Sequence, residues 1–202
     1  MKISCAALVA TLLVAGTAPG QNLLTNPGFD NVDQLAGWTC TMGDGTVTWS
    51  TTDHMASPSS GSMQIDMWAA ANNSFLQCSQ CVPVAELYGY LLSAWHLWPD
   101  VAGLSQLGTT RIVTSYFSDA NCSTFIANGD VGIGHPILDS WRRVQADEDT
   151  APAGAASARI NLVAWQNNAG EMIRTHIDDV DFRTTTIFRD GFESGGIAAW
   201  IP

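Results

Sequence analysis

The 202-residue chain carries 19 acidic side chains against 8 basic ones, a formal net charge of −11 with the histidines neutral. Such a surface repels phosphate backbones and anionic lipid headgroups, which argues against nucleic-acid binding and against attachment to a membrane surface. Hydrophobic residues make up 46% of the chain and eight residues are tryptophan, enough for one buried core, so wholesale disorder is excluded as well.

The first 20 residues have the composition of a secretory signal peptide. Met1 and Lys2 precede an apolar run at 3–15, and small residues follow at 18–20, as at a signal cleavage site. The apolar run is too short to span a bilayer. We therefore expect a secreted, periplasmic or cell-surface protein. Because Lys2 is the only lysine, cleavage would lower the formal charge to −12.

Four cysteines remain after that cleavage, and an even number in an exported chain favours disulfides. Three connectivities are possible for Cys40, Cys78, Cys81 and Cys122. We favour Cys40 with Cys78 and Cys81 with Cys122, each joining neighbouring strands. A Cys78–Cys81 redox pair is disfavoured because it lies in a strand context and not at the start of a helix. A zinc site built from all four cysteines is the second alternative.

Short apolar or alternating runs, separated by turn-forming residues, make up the region 21–184. This pattern predicts an all-β protein, an antiparallel β-sandwich of two packed sheets. The predicted strands are 23–24, 38–41, 47–50, 62–67, 74–82, 88–97, 110–117, 141–145, 158–165 and 176–184.

The predicted strand 158–165 alternates cleanly between two kinds of side chain. One face is assigned to the core and carries Ala158, Ile160, Leu162 and Ala164. The opposite face carries Arg159, Asn161, Val163 and Trp165. Because this second face is half polar and ends in an indole, we expect it to face water or a ligand.

Two adjacent acids, Asp178 and Asp179, interrupt the last predicted core strand. Neighbouring carboxylates repel each other and lose hydration on burial, and a hard cation between them would relieve both costs. The oxygen-rich stretch from Asn26 to Asp30 could supply further ligands, so that one ion joins the first and last strands. An exposed, solvated acid pair without a role is the alternative.

The segment 185–202 repeats the start of the domain in miniature. Gly191-Phe192-Glu193 matches Gly28-Phe29-Asp30, and a tryptophan follows each motif eight or nine residues later. The repeat is too short to be a domain. It either packs on the sandwich or forms a terminal tag.

A set of short motifs, taken in chain order between Asn22 and Phe182, resembles the carbohydrate-binding modules of the galactose-binding-like jelly-roll type. The set is Asn26-Pro27-Gly28-Phe29-Asp30, Gly37-Trp38, Ser60-Gly61-Ser62, Gln80-Cys81-Val82, residues 90–95, Tyr116-Phe117, Trp141, residues 152–155, Ser157-Ala158-Arg159 and Ile177-Asp178-Asp179-Val180. The segment 185–202 resembles the short D-G-F-E-S-G…W endings of many exported bacterial proteins.

The resemblance implies a jelly-roll β-sandwich that binds a polysaccharide or other glycan as a monomer. It also implies a structural calcium ion, not a catalytic one. In such modules this ion joins an acid of the N-terminal G-F-D motif to an acid of the terminal D-D-V motif. Here these acids are Asp30 and either Asp178 or Asp179, with backbone carbonyls near Asn26 and Ser60 as further ligands.

Sugar binding requires a flat apolar surface beside fixed polar groups. On the strand 158–165, Trp165 supplies the surface, and Arg159 and Asn161 supply the polar groups. If neighbouring strands share its sheet, an aromatic groove follows, extended by Trp95, Trp98 and Tyr116. The alternative is that Trp95 or Trp98 packs under a loop, since isolated aromatic residues are more often core than binding surface.

Catalysis has little support in the sequence. The four histidines show no H-E-x-x-H spacing, and neither a G-x-S-x-G elbow nor a phosphate-binding glycine loop is present. We therefore expect a non-catalytic binding protein. The alternatives are an adhesion or structural protein without a sugar site and, with less support, a polysaccharide lyase or hydrolase on the same scaffold.

Overall fold

The computed structural model describes residues 20–30, 32–41 and 45–185. This part of the chain is all-β and contains no helix that is long and apolar enough to cross a membrane. The predicted signal peptide and nearly all of the C-terminal segment lie outside the described residues. The strands are β1 (Thr39–Thr41), β2 (Gly45–Ser50), β3 (Ser62–Trp68), β4 (Ser74–Pro83), β5 (Gly89–Leu97), β6 (Thr109–Phe117), β7 (Phe125–Gly134), β8 (Arg142–Gln145), β9 (Asp149–Thr150), β10 (Ser157–Gln166) and β11 (Met172–Thr184).

The strands form two antiparallel sheets. Sheet 1 has the order β1-β4-β10-β6-β7, and sheet 2 has the order β2-β3-β11-β5-β8, with β9 paired to β5. Nearly every neighbouring pair is distant in sequence, so the fold is closed by long-range strand pairing. The predicted antiparallel β-sandwich is confirmed.

The core lies between the two sheets and follows the alternation of the strands. The inner side chains of β10 are fully buried, including Ile160 and Leu162, as the sequence predicts. They face inner side chains of sheet 2 such as Ile177 and Phe182. Burying a side chain of this size contributes about 1.5–3 kcal/mol.

Both favoured disulfides are present. The Cys40–Cys78 bond joins directly paired residues of β1 and β4. The Cys81–Cys122 bond joins β4 to the turn between β6 and β7. The second bond fixes a loop beside the outer face of sheet 1, which carries the groove described below.

The strand prediction is wrong at 23–24 and misses both β7 and the two-residue β9. The segment 23–24 is not a strand, although Asn22 forms a bridge with Arg183 and so places the N-terminal segment beside β11. The whole of β7 was missed because Asn128 and Gly129 suggest a turn. The register of β7 against β6 shifts in that region, which breaks the two-residue period that would reveal a strand.

Candidate ligand-binding groove

A groove of about 490 Å³ lies on the outer face of sheet 1. Its floor is the outward face of β10, formed by Arg159, Asn161, Val163 and Trp165. Its other main lining residues are Phe75 and Gln77 of β4, Arg111, Ser115 and Phe117 of β6, and Phe125 and Val131 of β7. The sequence thus placed the three β10 residues Arg159, Asn161 and Trp165 on one face, and the structure brings them together in this groove.

An aromatic pair with an arginine forms one end of the groove. Trp165 and Phe75 are cross-strand partners with rings 5.6 Å apart between centroids and only 7° from parallel. The guanidinium carbon of Arg111 lies 4.1 Å from the Trp165 ring centroid, a cation–π contact. The Trp165 indole N–H donates to Asn167 Oδ1 at 2.8 Å. These contacts fix the indole in a half-buried position.

The opposite end of the groove repeats this combination with different residues. The Arg159 guanidinium carbon lies 4.7 Å from the Phe117 ring centroid, and Phe125 meets Phe117 edge-on at 5.9 Å. Arg159 also donates to the backbone carbonyl of Cys122. Because Cys122 is bonded to Cys81, the disulfide fixes the acceptor that positions this guanidinium.

The middle of the groove combines valine side chains with the polar groups of Asn161 and Ser115. Asn161 is buried, and its amide nitrogen lies 3.3 Å from the carbonyl oxygen of Val113 and 3.4 Å from Ser115 Oγ. Ser115 in turn donates to Asn128 Oδ1 at 2.9 Å. The floor between the two aromatic ends therefore holds hydrogen-bonding groups in fixed orientations.

Trp98 and Tyr116 do not reach the groove, contrary to the sequence prediction. Both side chains are fully buried on the inner side of the sheets. The Trp98 indole N–H donates to Thr110 Oγ1 at 3.0 Å. Burial, reinforced by the carboxylate of Asp149, raises the pKa of Tyr116 above its ordinary value. Tyr116 follows the inward parity of β6, and Trp98, one residue beyond the end of β5, continues the inward parity of that strand.

Trp95 is also separated from the groove. It lies on β5, which belongs to sheet 2, so the shared sheet that the prediction required does not form. The His54 ring stacks on Trp95 at 3.8 Å between centroids, 17° from parallel, and so covers it. Trp95 is therefore part of the packing between a loop and sheet 2.

The sequence analysis missed the groove residues of the other strands, among them the aromatic and charged residues Phe75, Arg111, Phe117 and Phe125. None of these could be placed in the groove without knowing which strands neighbour β10. Arg111 and Phe117 nevertheless carried a signal. Because Ile112 is apolar and inward, two-residue alternation turns both of them outward and turns Tyr116 inward.

The predicted contact between the N-terminal segment and the last strand is present. The Val180 amide donates to the carbonyl oxygen of Pro27 at 2.9 Å, and Asn22 Nδ2 donates to the carbonyl oxygen of Val180 at 2.7 Å. Beside this contact Asp179 adopts a φ of 44°, within a β-bulge that separates Asp178 from Asp181. Asp tolerates this left-handed conformation better than most residues.

The acid pair of β11 is split by this bulge into a buried and an exposed carboxylate. Asp178 accepts the backbone N–H of His54 at 2.9 Å and that of Asp179 at 2.7 Å. Burial, with smaller effects of Asp179 and Asp53, raises the pKa of Asp178 to about 7. Asp179 Oδ2 lies 2.9 Å from His54 Nδ1, an ion pair when the histidine is protonated.

The carboxylate oxygens of Asp178 and Asp179 are of the kind that a hard cation binds. Within residues 20–30, 32–41 and 45–185, no three His, Cys, Asp or Glu side chains are placed to hold a metal. Asn26 uses its side chain within its own loop, accepting from the Asp30 amide at 2.9 Å and donating to the Gln34 carbonyl at 2.7 Å. Among the described residues Asp30, Asp178 and Asp179 do not form such a group of three, and the calcium site predicted at Asn26, Asp30, Asp178 and Asp179 stays a prediction.

The sequence matches no protein-family model, and it matches no curated protein. Solved structures do resemble the fold. The enzymatically active domain of tailspike protein 4 from bacteriophage CBA120 has a TM-score of 0.60 and 17% identity over 81% of this chain, which spans only 21% of that protein.

Two further structures match over nearly their whole length and are carbohydrate-binding modules. TmCBM61, solved in complex with β-1,4-galactotriose, has a TM-score of 0.51 and 13% identity, covering 81% of this chain and 99% of the module. The CBM22-2 xylan-binding domain of Paenibacillus barcinonensis Xyn10C has a TM-score of 0.53 and 13% identity, covering 79% and 98%. The chain therefore has the β-sandwich fold found in these carbohydrate-binding modules.

Proposed function

We propose that the protein is an exported, non-catalytic carbohydrate-binding protein whose ligand lies in the groove of sheet 1. The proposal rests on the groove, which has an aromatic group at each end and hydrogen-bonding side chains in fixed orientations between them. Pyranose rings bind to surfaces of this kind, through their apolar C–H face and their hydroxyl groups. The two modules of similar fold are described with galactotriose and xylan, which supports a glycan ligand here.

The length of the groove favours an oligosaccharide over a single sugar. Arg159 and Trp165 stand six residues apart on the same strand, which corresponds to about 20 Å at the rise of a β-strand. Several sugar rings in a row fit into this distance. The proposed ligand is therefore a polysaccharide chain lying along β10.

Replacing Trp165 by alanine is expected to weaken binding to the cognate glycan by about 2 kcal/mol or more, roughly thirtyfold. The substitution removes the central aromatic surface of one end and releases Arg111 and Phe75 from their contacts. Affinity electrophoresis or calorimetry against a panel of soluble polysaccharides measures the effect. Trp68→Ala is the matched control, because Trp68 is half exposed on sheet 2.

Retention by wild-type protein and Trp68→Ala, with loss in a folded Trp165→Ala variant, would support the groove as the sugar site. If wild-type protein is retained by no glycan in the panel, the proposal fails and the adhesion or structural alternative gains. If both tryptophan variants bind like wild type, the binding surface lies elsewhere.

We propose in addition that calcium binds beside the β11 bulge, with Asp178 and Asp179 as the acidic ligands. A buried carboxylate next to two other acids is the group that a cation would stabilise most. Calcium is then expected to raise the melting temperature relative to chelator, since it binds only the folded state. Asp178→Asn should abolish this shift, whereas Asp100→Asn, a change of the same charge at an exposed site, should retain it. Equal melting temperatures of the wild type with calcium and with chelator would contradict the proposal.

A further inference from the structure

We propose that the groove selects an acidic glycan, a polysaccharide whose sugars carry carboxylate or sulfate groups at intervals along the chain. This inference rests on the proposed carbohydrate-binding function and adds the chemical class of the ligand. It is carried by the charge of the groove, by the partners of its arginines and by their spacing.

The groove has the opposite charge to the rest of the protein. The chain as a whole has a formal net charge of −11, yet the groove lining contains Arg111 and Arg159 and no aspartate or glutamate. The groove is thus a small positive region on an acidic molecule. An anionic ligand is repelled by the general surface and attracted by the two groove arginines, so the charge pattern favours its binding in the groove.

Neither groove arginine forms an ion pair with a carboxylate of the described residues. In the part of the chain that the structure describes, the arginines that form ion pairs are Arg174 and Arg183, both on β11 in sheet 2. Arg111 donates from Nε to the hydroxyl of Thr109 at 3.1 Å, and Arg159 donates to a backbone carbonyl. Both guanidinium groups therefore keep their full charge and have further N–H donors for a ligand.

Asp119 lies in the same turn as Cys122, the residue that binds Arg159, but its carboxylate is already hydrogen-bonded to backbone amides. The carboxylate of Asp119 accepts backbone amides of the same loop, from Thr124 at 2.5 Å, Asn121 at 2.9 Å and Ser123 at 3.1 Å. These hydrogen bonds, of which the one from Thr124 has the largest effect, hold the pKa of Asp119 well below its ordinary value. Asp119 thus acts as a brace for the turn and forms no ion pair with Arg159.

Each groove arginine also packs on an aromatic group at one end of the groove. Each guanidinium lies over an aromatic ring, Arg111 over Trp165 and Arg159 over Phe117. A sugar that packs on the aromatic groups therefore meets a planar cationic donor beside them. Guanidinium groups bind carboxylate and sulfate oxygens through paired, charge-assisted hydrogen bonds, which are about twice as strong as neutral ones.

The spacing of the arginines favours a polymer over a single charged sugar. Arg111 pairs across the strands with Val163, and Arg159 lies four residues further along β10. The strand rise and the distance between strands place the two positions about 14 Å apart. One anionic sugar contacts one arginine only, whereas a chain with repeated charges contacts both and gains from the second contact.

The test uses pairs of polysaccharides that differ only in charge. Full-length oxidised protein is titrated with polygalacturonate and with its fully methyl-esterified form, and with a sulfated glycan and its desulfated form. We expect the acidic member of at least one pair to bind about tenfold more tightly or better, and added salt to weaken that binding. The pair that shows the preference distinguishes carboxylate from sulfate as the group recognised.

Arginine substitutions then show which residues cause the preference for the acidic polysaccharide. Arg111→Gln and Arg159→Gln are each expected to weaken binding of the acidic member about tenfold, and the double variant to remove the preference for it. Arg142→Gln removes the same charge from an exposed position on β8 in sheet 2 and should bind like wild type. Thermal melting confirms folding. If a groove variant fails to fold, the salt dependence and charge preference of the wild type still decide the question.

The outcomes separate this inference from the proposed function. Binding to neutral members alone, or equally to both members without salt dependence, overturns the acidic-glycan inference and leaves carbohydrate binding intact. Binding of acidic glycans that is unaffected in the double arginine variant overturns it too, because the charge recognised is then elsewhere. No binding to any glycan rejects both.

Discussion

Replacing Cys81 and Cys122 together by alanine is expected to lower the free energy of unfolding by about 4 kcal/mol and to weaken ligand binding in the groove. The stability loss follows from the 41-residue separation of the two cysteines, since an open chain gains the entropy that the closed loop had lost. The binding loss follows because the carbonyl group of Cys122 holds the Arg159 guanidinium over Phe117. Denaturant unfolding gives the first quantity, and glycan titration well below the unfolding midpoint gives the second.

The Cys40–Cys78 pair provides a matched control. Its sequence separation of 38 residues predicts almost the same stability loss, about 4 kcal/mol, on replacement by alanine. This bond joins β1 to β4 at the edge of sheet 1 and holds neither groove arginine. The two double variants should therefore be equally destabilised but differ in binding. Identical binding by both would show that the turn carrying Cys122 does not position Arg159.

Acidification is expected to destabilise the protein through the buried histidine His96, against an opposite effect of Asp178, whose raised pKa favours the folded state as the pH falls. Burial, with a smaller effect of His135, lowers the pKa of His96 to about 4. In the unfolded chain the ordinary value is 6.5, so the unfolded state takes up a proton that the folded state refuses. The contribution to stability is present above pH 6.5 and is lost as the pH falls toward 4. Its size is on the order of 3 kcal/mol.

The packing around His96 explains why the folded state cannot accept the proton. His96 points into the core, where its Nδ1 has no hydrogen-bond partner among the described residues. A Cβ atom on Gly134 would lie 2.5 Å from the imidazole, so that position has no room for a side chain. A charged imidazolium would therefore be buried without a counter-charge.

The variant His96→Leu tests this explanation. Its stability, measured by denaturant unfolding between pH 6.5 and 4, should fall less steeply than that of the wild type. Some acid dependence should remain, because burial also lowers the pKa of His176 to about 4. His135→Gln at an exposed position is the control and should keep most of the wild-type slope. If His96→Leu keeps the full wild-type slope, His96 is not the titrating group.

Features that depend on local alternation could be predicted from the sequence. The strand pattern was sufficient to predict the sandwich, and on β10 it separated buried Ile160 and Leu162 from outward Arg159 and Trp165. The same rule, applied to β6, would have turned Tyr116 inward because it shares a parity with Ile112. Tyr116 was assigned to the binding face because it is aromatic, although the two-residue period of the strand turns it inward.

Features that depend on strand neighbours could not be predicted. Trp95 lies in a long strand with the right composition, but only the long-range pairing of the sheets shows that β5 and β10 are in different sheets. Phe125 belongs to a strand whose period is broken by a register shift. The groove combines residues from β4, β6, β7 and β10, which no local sequence pattern connects.

The disulfide between Cys81 and Cys122 makes the binding groove depend on oxidation. Cytoplasmic thiols are kept reduced, so the bond forms only in an oxidising compartment. The turn that carries the acceptor for Arg159 is fixed by that bond. We therefore expect the newly synthesised chain to have an incomplete groove and the oxidised chain a complete one. Ligand binding in the groove would then require prior oxidation of these two cysteines.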